Sequence, residues 1–191
     1  MPHLSIAICS LCLLLFLSDN PDDGIRVRDL NVETGLSIDY LRSEFGPERS
    51  RYEGYPTSRT NHVWDLGEDG WMTGEFDDLG SLTAVTITTG RDDVPDPNSF
   101  AVLSGREVRL SQMTLGEVQR AYPNGCLGEV IDGEGYSIRD YHVTTGPEGT
   151  WRASFGVSAD WEDYDPANGM SDQTVKSITF DFVPDPEDPS C

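Results

Sequence analysis

Two stretches of the chain share one pattern of apolar and polar positions. Residues 35–47 read Gly-Leu-Ser-Ile-Asp-Tyr-Leu-Arg-Ser-Glu-Phe-Gly-Pro, and residues 112–123 read Gln-Met-Thr-Leu-Gly-Glu-Val-Gln-Arg-Ala-Tyr-Pro. Each is an apolar residue, a hydroxyl residue, a short amphipathic run, an aromatic and a stop. In the first, Ser37 is predicted to open a helix whose apolar positions Ile38, Leu41 and Phe45 recur every three or four residues and share one face. Gly46-Pro47 ends it. In the second, Thr114-Leu115-Gly116-Glu117 has the spacing of a capping box, in which the side chains at both ends satisfy backbone N–H groups of the first turn. Leu115, Val118 and Tyr122 form its apolar face.

Strand-like alternation follows each helix. After the first, residues 61–66 and 71–77 read as a hairpin joined by Gly67-Glu68-Asp69-Gly70, because Asp-Gly tolerates the positive φ of tight turns. Trp71, Thr73 and Glu75 lie on one face, with Met72, Gly74 and Phe76 on the other. Residues 82–89 are rich in Thr, Val and Ile, as strands are. After the second helix, residues 136–144, 150–158 and 174–183 read as three strands. In the last, Ser177, Thr179 and Asp181 alternate with Ile178, Phe180 and Phe182. Residues 25–30, 100–103 and 108–110 are lead-ins, and 48–60 reads as polar and turn-rich.

The expectation is therefore an α+β fold of two related units, each a capped helix packed on a roughly three-stranded antiparallel sheet. The first unit covers residues 25–90 and the second 100–183. A Pro/Asp linker at 91–99 separates them, and an acidic, Pro-rich tail runs from 184 to 191. Neither unit buries enough apolar surface to stand comfortably alone, so the two are expected to pack together, with a waist near Pro95.

Charge narrows the function classes. The 191 residues include 34 acidic and 13 basic side chains, for a net charge of −21, and Lys176 is the sole lysine. Such a chain repels nucleic acid and anionic lipid surfaces. It suits a highly soluble exported protein, or a docking face for a basic partner or divalent cations. Residues 4–17 are almost continuously apolar, too short for an ordinary membrane span and matched to the core of an export signal. We read 1–18 as that signal and 19–24 as a spacer, leaving no membrane span in the mature chain. The stretch before the apolar run has no Lys or Arg, and Ser18 is the best cleavage candidate. Cys9 and Cys12 lie in the run and are candidates for lipid attachment, although Ile8 and Leu11 before them are larger than that chemistry prefers. In an oxidising compartment the remaining pair, Cys126 and Cys191, is expected to form a disulfide.

Catalytic signatures are sparse. No serine has the Gly-x-Ser-x-Gly context of a nucleophile elbow, and no Cys/His spacing matches zinc. His62 and His142 fall at corresponding strand starts and read as structural. No cofactor is implied. The notable cluster is residues 160–172, which sets Asp160, Glu162, Asp163 and Asp165 around Trp161 and Tyr164. Hard oxygen ligands on a turn suit calcium, so these four acids are candidate ligands, although the spacing does not fit an EF-hand. Trp161 and Tyr164 are candidate anchors for a partner. Trp71 and Trp151 occupy similar places after the two helices and are expected in the core.

The motif Gly/Gln-Leu/Met-Ser/Thr, then Leu41 or Val118, Phe45 or Tyr122, and a closing Pro47 or Pro123 resembles one found in small exported bacterial proteins. These include the SmpA/OmlA-like outer-membrane assembly lipoproteins and, as a tandem pair, the beta-lactamase inhibitory proteins. The resemblance covers the helix and strands of each copy. Tyr40 stands where the pattern has an acid, and Gln112 where it has glycine. The inhibitory proteins place a cysteine pair in each copy, whereas the first copy here has none in the mature region. The resemblance implies an exported, non-enzymatic protein that uses its sheet as a binding surface. The expected partner is another exported or envelope protein, with a basic face to suit the charge. A cation or small-ligand binder centred on the 160–172 loop is the alternative.

Overall fold

The computed structural model describes residues 23–54, 59–67, 70–89, 99–146, 149–160 and 167–184. Its elements run β1 (Gly24–Val27), β2 (Leu30–Val32), α1 (Ile38–Phe45), β3 (Ser50–Glu53), β4 (Thr60–Asp65), β5 (Gly70–Phe76) and β6 (Leu82–Thr89). They continue with β7 (Ser99–Leu103), β8 (Arg106–Arg109), α2 (Leu115–Ala121), β9 (Cys126–Leu127), β10 (Ile131–Asp132), β11 (Tyr136–Thr145), β12 (Trp151–Asp160) and β13 (Ser177–Asp181).

Both helix starts follow the sequence. Ser37 caps α1, its hydroxyl accepting from Tyr40 N, and Leu41 is buried while Ile38 and Phe45 pack partly buried against the core. Thr114 and Glu117 close the capping box on α2, and Leu115 and Val118 are buried. The residue before each cap also anchors a strand in the same way: Leu82 N donates to Leu36 O, and Val175 N donates to Met113 O, both at 2.9 Å.

The α+β expectation of two helix-plus-sheet units is wrong. The protein is mostly β. Its strands form one nine-stranded antiparallel sheet, β10-β11-β12-β13-β6-β5-β4-β3 with β9 alongside β11, and a second sheet in the order β2-β1-β7-β8. The physical reason lies in the edges. β6 closes a set of four strands, β3 to β6, and β13 a set of five, β9 to β13, and a bare edge is a row of unpaired N–H and C=O groups. They pair with each other instead, with Thr86 opposite Thr179, so the two sets become one sheet. The lead-ins do likewise, β1 pairing with β7 across the expected linker; Pro95 lies outside the described residues.

The large sheet buries one face. Trp64, Met72, Val85, Ile87, Phe155, Ile178 and Phe180 point into a single apolar cluster. That cluster is completed by Ile25, Val27, Ala101 and Leu103 of the small sheet and by Leu41, Leu115 and Val118 of the helices. Strand alternation sends every second residue to the other face, and the small sheet and both helices leave that face open.

Candidate functional site

The register lines the open face with rows of side chains running across the strands. One row reads Ser154, Thr179, Thr86 and Thr73 on β12, β13, β6 and β5, with His142 and Val63 at its ends. The Thr86 and Thr179 hydroxyls hydrogen-bond at 2.9 Å. The next row reads Arg152, Asp181, Ala84, Glu75, Asn61 and Tyr52. Within it Arg152 Nη2 lies 3.3 Å from Asp181 Oδ2, and Arg59 Nη1 lies 2.6 Å from Glu75 Oε1. The two rows wall a groove of about 300 Å³ over the middle of the sheet. Burial pushes the Asp181 carboxyl above its ordinary range, and the Glu75 charge adds to the push; Val183 N, Arg152 and Arg59 oppose it.

In the third row, Asp140 and Ser177 flank Gly156, where a Cβ would meet Ser177 Oγ at 2.2 Å and Asp140 Oδ1 at 2.8 Å. A side chain there would force Ser177 and Asp140 to shift. Asp140 is also raised, mainly by burial. Trp71 stands in this row opposite Thr88 and is 36% exposed. The expectation of a core Trp71 is thus corrected: the chain enters β5 at Gly70, and its alternation sends Trp71 outward and Met72 inward. Trp151 is half-buried and packs edge-on against Phe182. The core tryptophan is Trp64, whose Nε1–H donates to Gly46 O at 3.1 Å.

The two histidines do not share a place. His62 Nδ1 lies 3.2 Å from Glu48 Oε1 under the core face, and Glu48 is held in turn by Arg42. His142 is on the open face, its Nδ1 2.8 Å from Ser154 Oγ. In register, His62 lies opposite Gly74 and His142 opposite Ser154. Gly74 and Ser154 sit on opposite faces, and one residue of register is all that separates them. β4 and β11 are also five strand spacings apart, roughly 24 Å, so the rings cannot share a metal or a proton. His142 is 9% exposed, and Gly128 packs close to it: a Cβ there would come within 3.0 Å of its Nε2.

Of the expected calcium ligands, Asp160 ends β12 opposite Tyr136; Glu162, Asp163 and Asp165 lie outside the described residues, as do Trp161 and Tyr164. Downstream, Asn168 Oδ1 accepts from Met170 N at 2.9 Å, which closes the turn that buries Met170. Among the described residues no three His, Cys, Asp or Glu side chains cluster as metal ligands do. Cys126 opens β9 opposite His142, and Cys191 lies outside the described residues. The residues that sequence reasoning missed are the hydroxyl row and its Arg–carboxylate flanks. The Thr-x-Thr alternation of 82–89 and the Ser-x-Thr-x-Asp of 177–181 carried the signal, but only the β6–β13 pairing lines them up.

No family model matches the chain, and no curated protein matches it. Among solved structures it is similar to a DUF4309 family protein, YjgB, from Bacillus subtilis subsp. subtilis str. 168. The two are 12% identical with a TM-score of 0.44, over 76% of this chain and 77% of that one.

Proposed function

We propose that this chain is an exported, acidic, non-enzymatic protein-binding module of inhibitor or envelope-adaptor type, and that the open face of the large sheet is its docking surface. The observation that carries this reading is the uncovered face itself. β11, β12, β13, β6, β5 and β4 lie side by side there, five strand spacings of roughly 4.8 Å each. A patch of that width suits the roughly 800 Å² that each partner contributes to a standard protein interface. Its short hydroxyl side chains leave the face open to a partner surface. Exposed Trp71 and Tyr52 supply aromatic contact area of the kind that anchors interfaces. The net charge of −21 favours a partner with a basic face. Export and a Cys126–Cys191 bridge belong to the same reading, and intact mass before and after reduction tests the bridge.

The test is capture with the mature chain from Asp19, against native envelope and culture fluid, beside a Thr86→Arg variant that blocks the open face. A protein retained by the parent and lost by the variant supports the reading. A protein retained equally by both moves the interface off this face, and calcium-dependent retention in their place supports the 160–172 alternative.

A further inference from the structure

The large sheet ends at β3, and among the described residues no strand pairs with its outer side. All of its side chains are exposed. Its inner side is taken by β4, and the ladder fixes which backbone groups are used. Gly54 N donates to Arg59 O at 2.8 Å. In an antiparallel pair, alternate residues exchange hydrogen bonds with the partner strand, and those between them aim their N–H and C=O away from it. Counting back from Gly54, Tyr52 and Ser50 face β4, whereas Arg51 and Glu53 hold their N–H and C=O groups outward. The β4–β5 ladder agrees. Leu66 N donates to Gly70 O, so the even-numbered residues of β4 serve β5. Asn61 and Val63, opposite Tyr52 and Ser50, are left for β3. Side chains alternate as well: Arg51 and Glu53 share one face of the edge, and Tyr52, 52% exposed, stands on the other.

We propose that β3 pairs antiparallel with β3 of a second copy of this chain, with Tyr52 on the two-fold axis. The inference stands apart from the docking reading above. Charged side chains on an edge ordinarily keep other strands away, and a single sign would do so in every register. Here the signs differ, and the outward groups leave few registers. Arg51 opposite Arg51, or Glu53 opposite Glu53, sets like charges face to face, which is destabilising. Arg49 does not rescue the first of these: its N–H turns inward to Val63 O, and its guanidinium is held by Asp65. Arg51 opposite Glu53 joins opposite charges, and the two-fold repeats the pair because each copy contributes both residues. That register also lets the outward N–H and C=O groups of Arg51 and Glu53 exchange hydrogen bonds across the edge. Tyr52 meets its own copy at the non-hydrogen-bonded position, where side chains come closest. Ser50 falls opposite Gly54, so nothing bulky opposes closure. The joined sheet keeps its faces, so the open faces of both copies lie on one side with the tyrosines between them. The net charge of −21 on each copy opposes association, and the contact strip is narrow, so the dimer is weak and forms at high protein concentration.

The experiment is sedimentation equilibrium of the mature chain from Asp19. Its mass is expected to rise from monomer toward dimer between about 20 μM and about 1 mM, the range in which small interfaces associate. Amide hydrogen exchange at Arg51 and Glu53 should slow over the same range. Glu53→Arg and Arg51→Glu each set like charges opposite one another in that register, and each should abolish the rise. Both side chains are exposed, so the fold is kept. Glu53→Arg also makes the chain less acidic, so its loss of dimer cannot come from general repulsion. Mixed in equal amounts, the two variants regain the opposite-charge pairs and should form a heterodimer. The double variant, Arg51→Glu with Glu53→Arg, should dimerise like the parent. A parent that stays monomeric throughout, single variants that still dimerise, or a mixture that stays monomeric would each overturn the edge pairing. A dimer whose Arg51 and Glu53 amides exchange as fast as in the monomer would overturn it too.

Discussion

Thr86 and Thr179 face each other across the seam where β6 meets β13, their hydroxyl oxygens 2.9 Å apart. Going outward from that pair, the two halves of the sheet read alike: Thr73 and Ser154 come next, then Val63 and His142. The hydroxyl bridge is therefore the centre of the open face. Cross-strand Thr pairs contribute roughly 0.2–1 kcal/mol. A double-mutant cycle with Thr86→Val and Thr179→Val, followed by urea unfolding, is expected to give a coupling of about 0.5 kcal/mol. A coupling of zero would show the bridge to be energetically idle.

The two helix caps differ in a measurable way. Thr114 and Glu117 exchange hydrogen bonds in both directions, whereas Ser37 only accepts. Thr114→Ala is expected to cost about 1 kcal/mol and Ser37→Ala less, within the roughly 0.5–2 kcal/mol span of lost caps. Glu117→Gln keeps the box and should cost less than Thr114→Ala. Urea midpoints at constant m-value decide it.

Acidification should weaken the fold in two stages, both at one contact. Glu48 is held at about 2, well below the ordinary carboxylate value, first by its hydrogen bond with Arg42. An ionised Glu48 only accepts, so the His62 ring that meets it donates from Nδ1–H. His62 is lowered from its ordinary value of 6.5, chiefly by burial, with Glu48 opposing. Both groups are thus depressed in the folded state. The His62 contribution is complete above the unfolded value near 6.5 and is lost as pH falls through its lower folded value. The Glu48 contribution is complete above about 4.5 and fades toward pH 2. Unfolding free energy followed from about pH 8 to pH 5 should fall, and His62→Gln should flatten that slope. An unchanged slope in the variant would assign the loss to other groups.

The tryptophans separate core from surface. Trp64 is 1% exposed and stacks near His62, with Phe76 edge-on. Trp64→Phe also strands Gly46 O, and Trp64→Ala should cost about 3–5 kcal/mol. Trp71→Ala should stay within about 1 kcal/mol, because the side chain stands on the open face. Thermal unfolding of the two variants side by side checks the assignment, and equal losses would refute it.

What the sequence made legible was local. The caps at Ser37 and Thr114 are set by neighbouring residues, and the limits of β6 coincide with the run 82–89 because that run is rich in Thr, Val and Ile. What it concealed was long-range. β3 lies in a stretch rich in turn residues and exists because Arg49 N reaches Val63 O at 2.7 Å. The pairing of β6 with β13 joins residues some ninety positions apart, and no local pattern encodes it. The same blindness placed Trp71 in the core and made His62 and His142 equivalent: a one-residue slip is invisible in a motif comparison and decisive in a sheet. The open site was illegible for the same reason, since its groups come from four strands on both sides of the seam.

β13 is the latest of the described strands in chain order, yet it lies in the middle of the large sheet, between β12 and β6. A nascent chain released up to β12 therefore holds two partial sheets with raw inner edges and nothing to join them. The keystone arrives late, so commitment to the native state is deferred until nearly all of the described chain is available, at the kinetic cost that distant pairings carry. Under the export that we propose, the two halves of the large sheet stay unjoined until β13 has emerged.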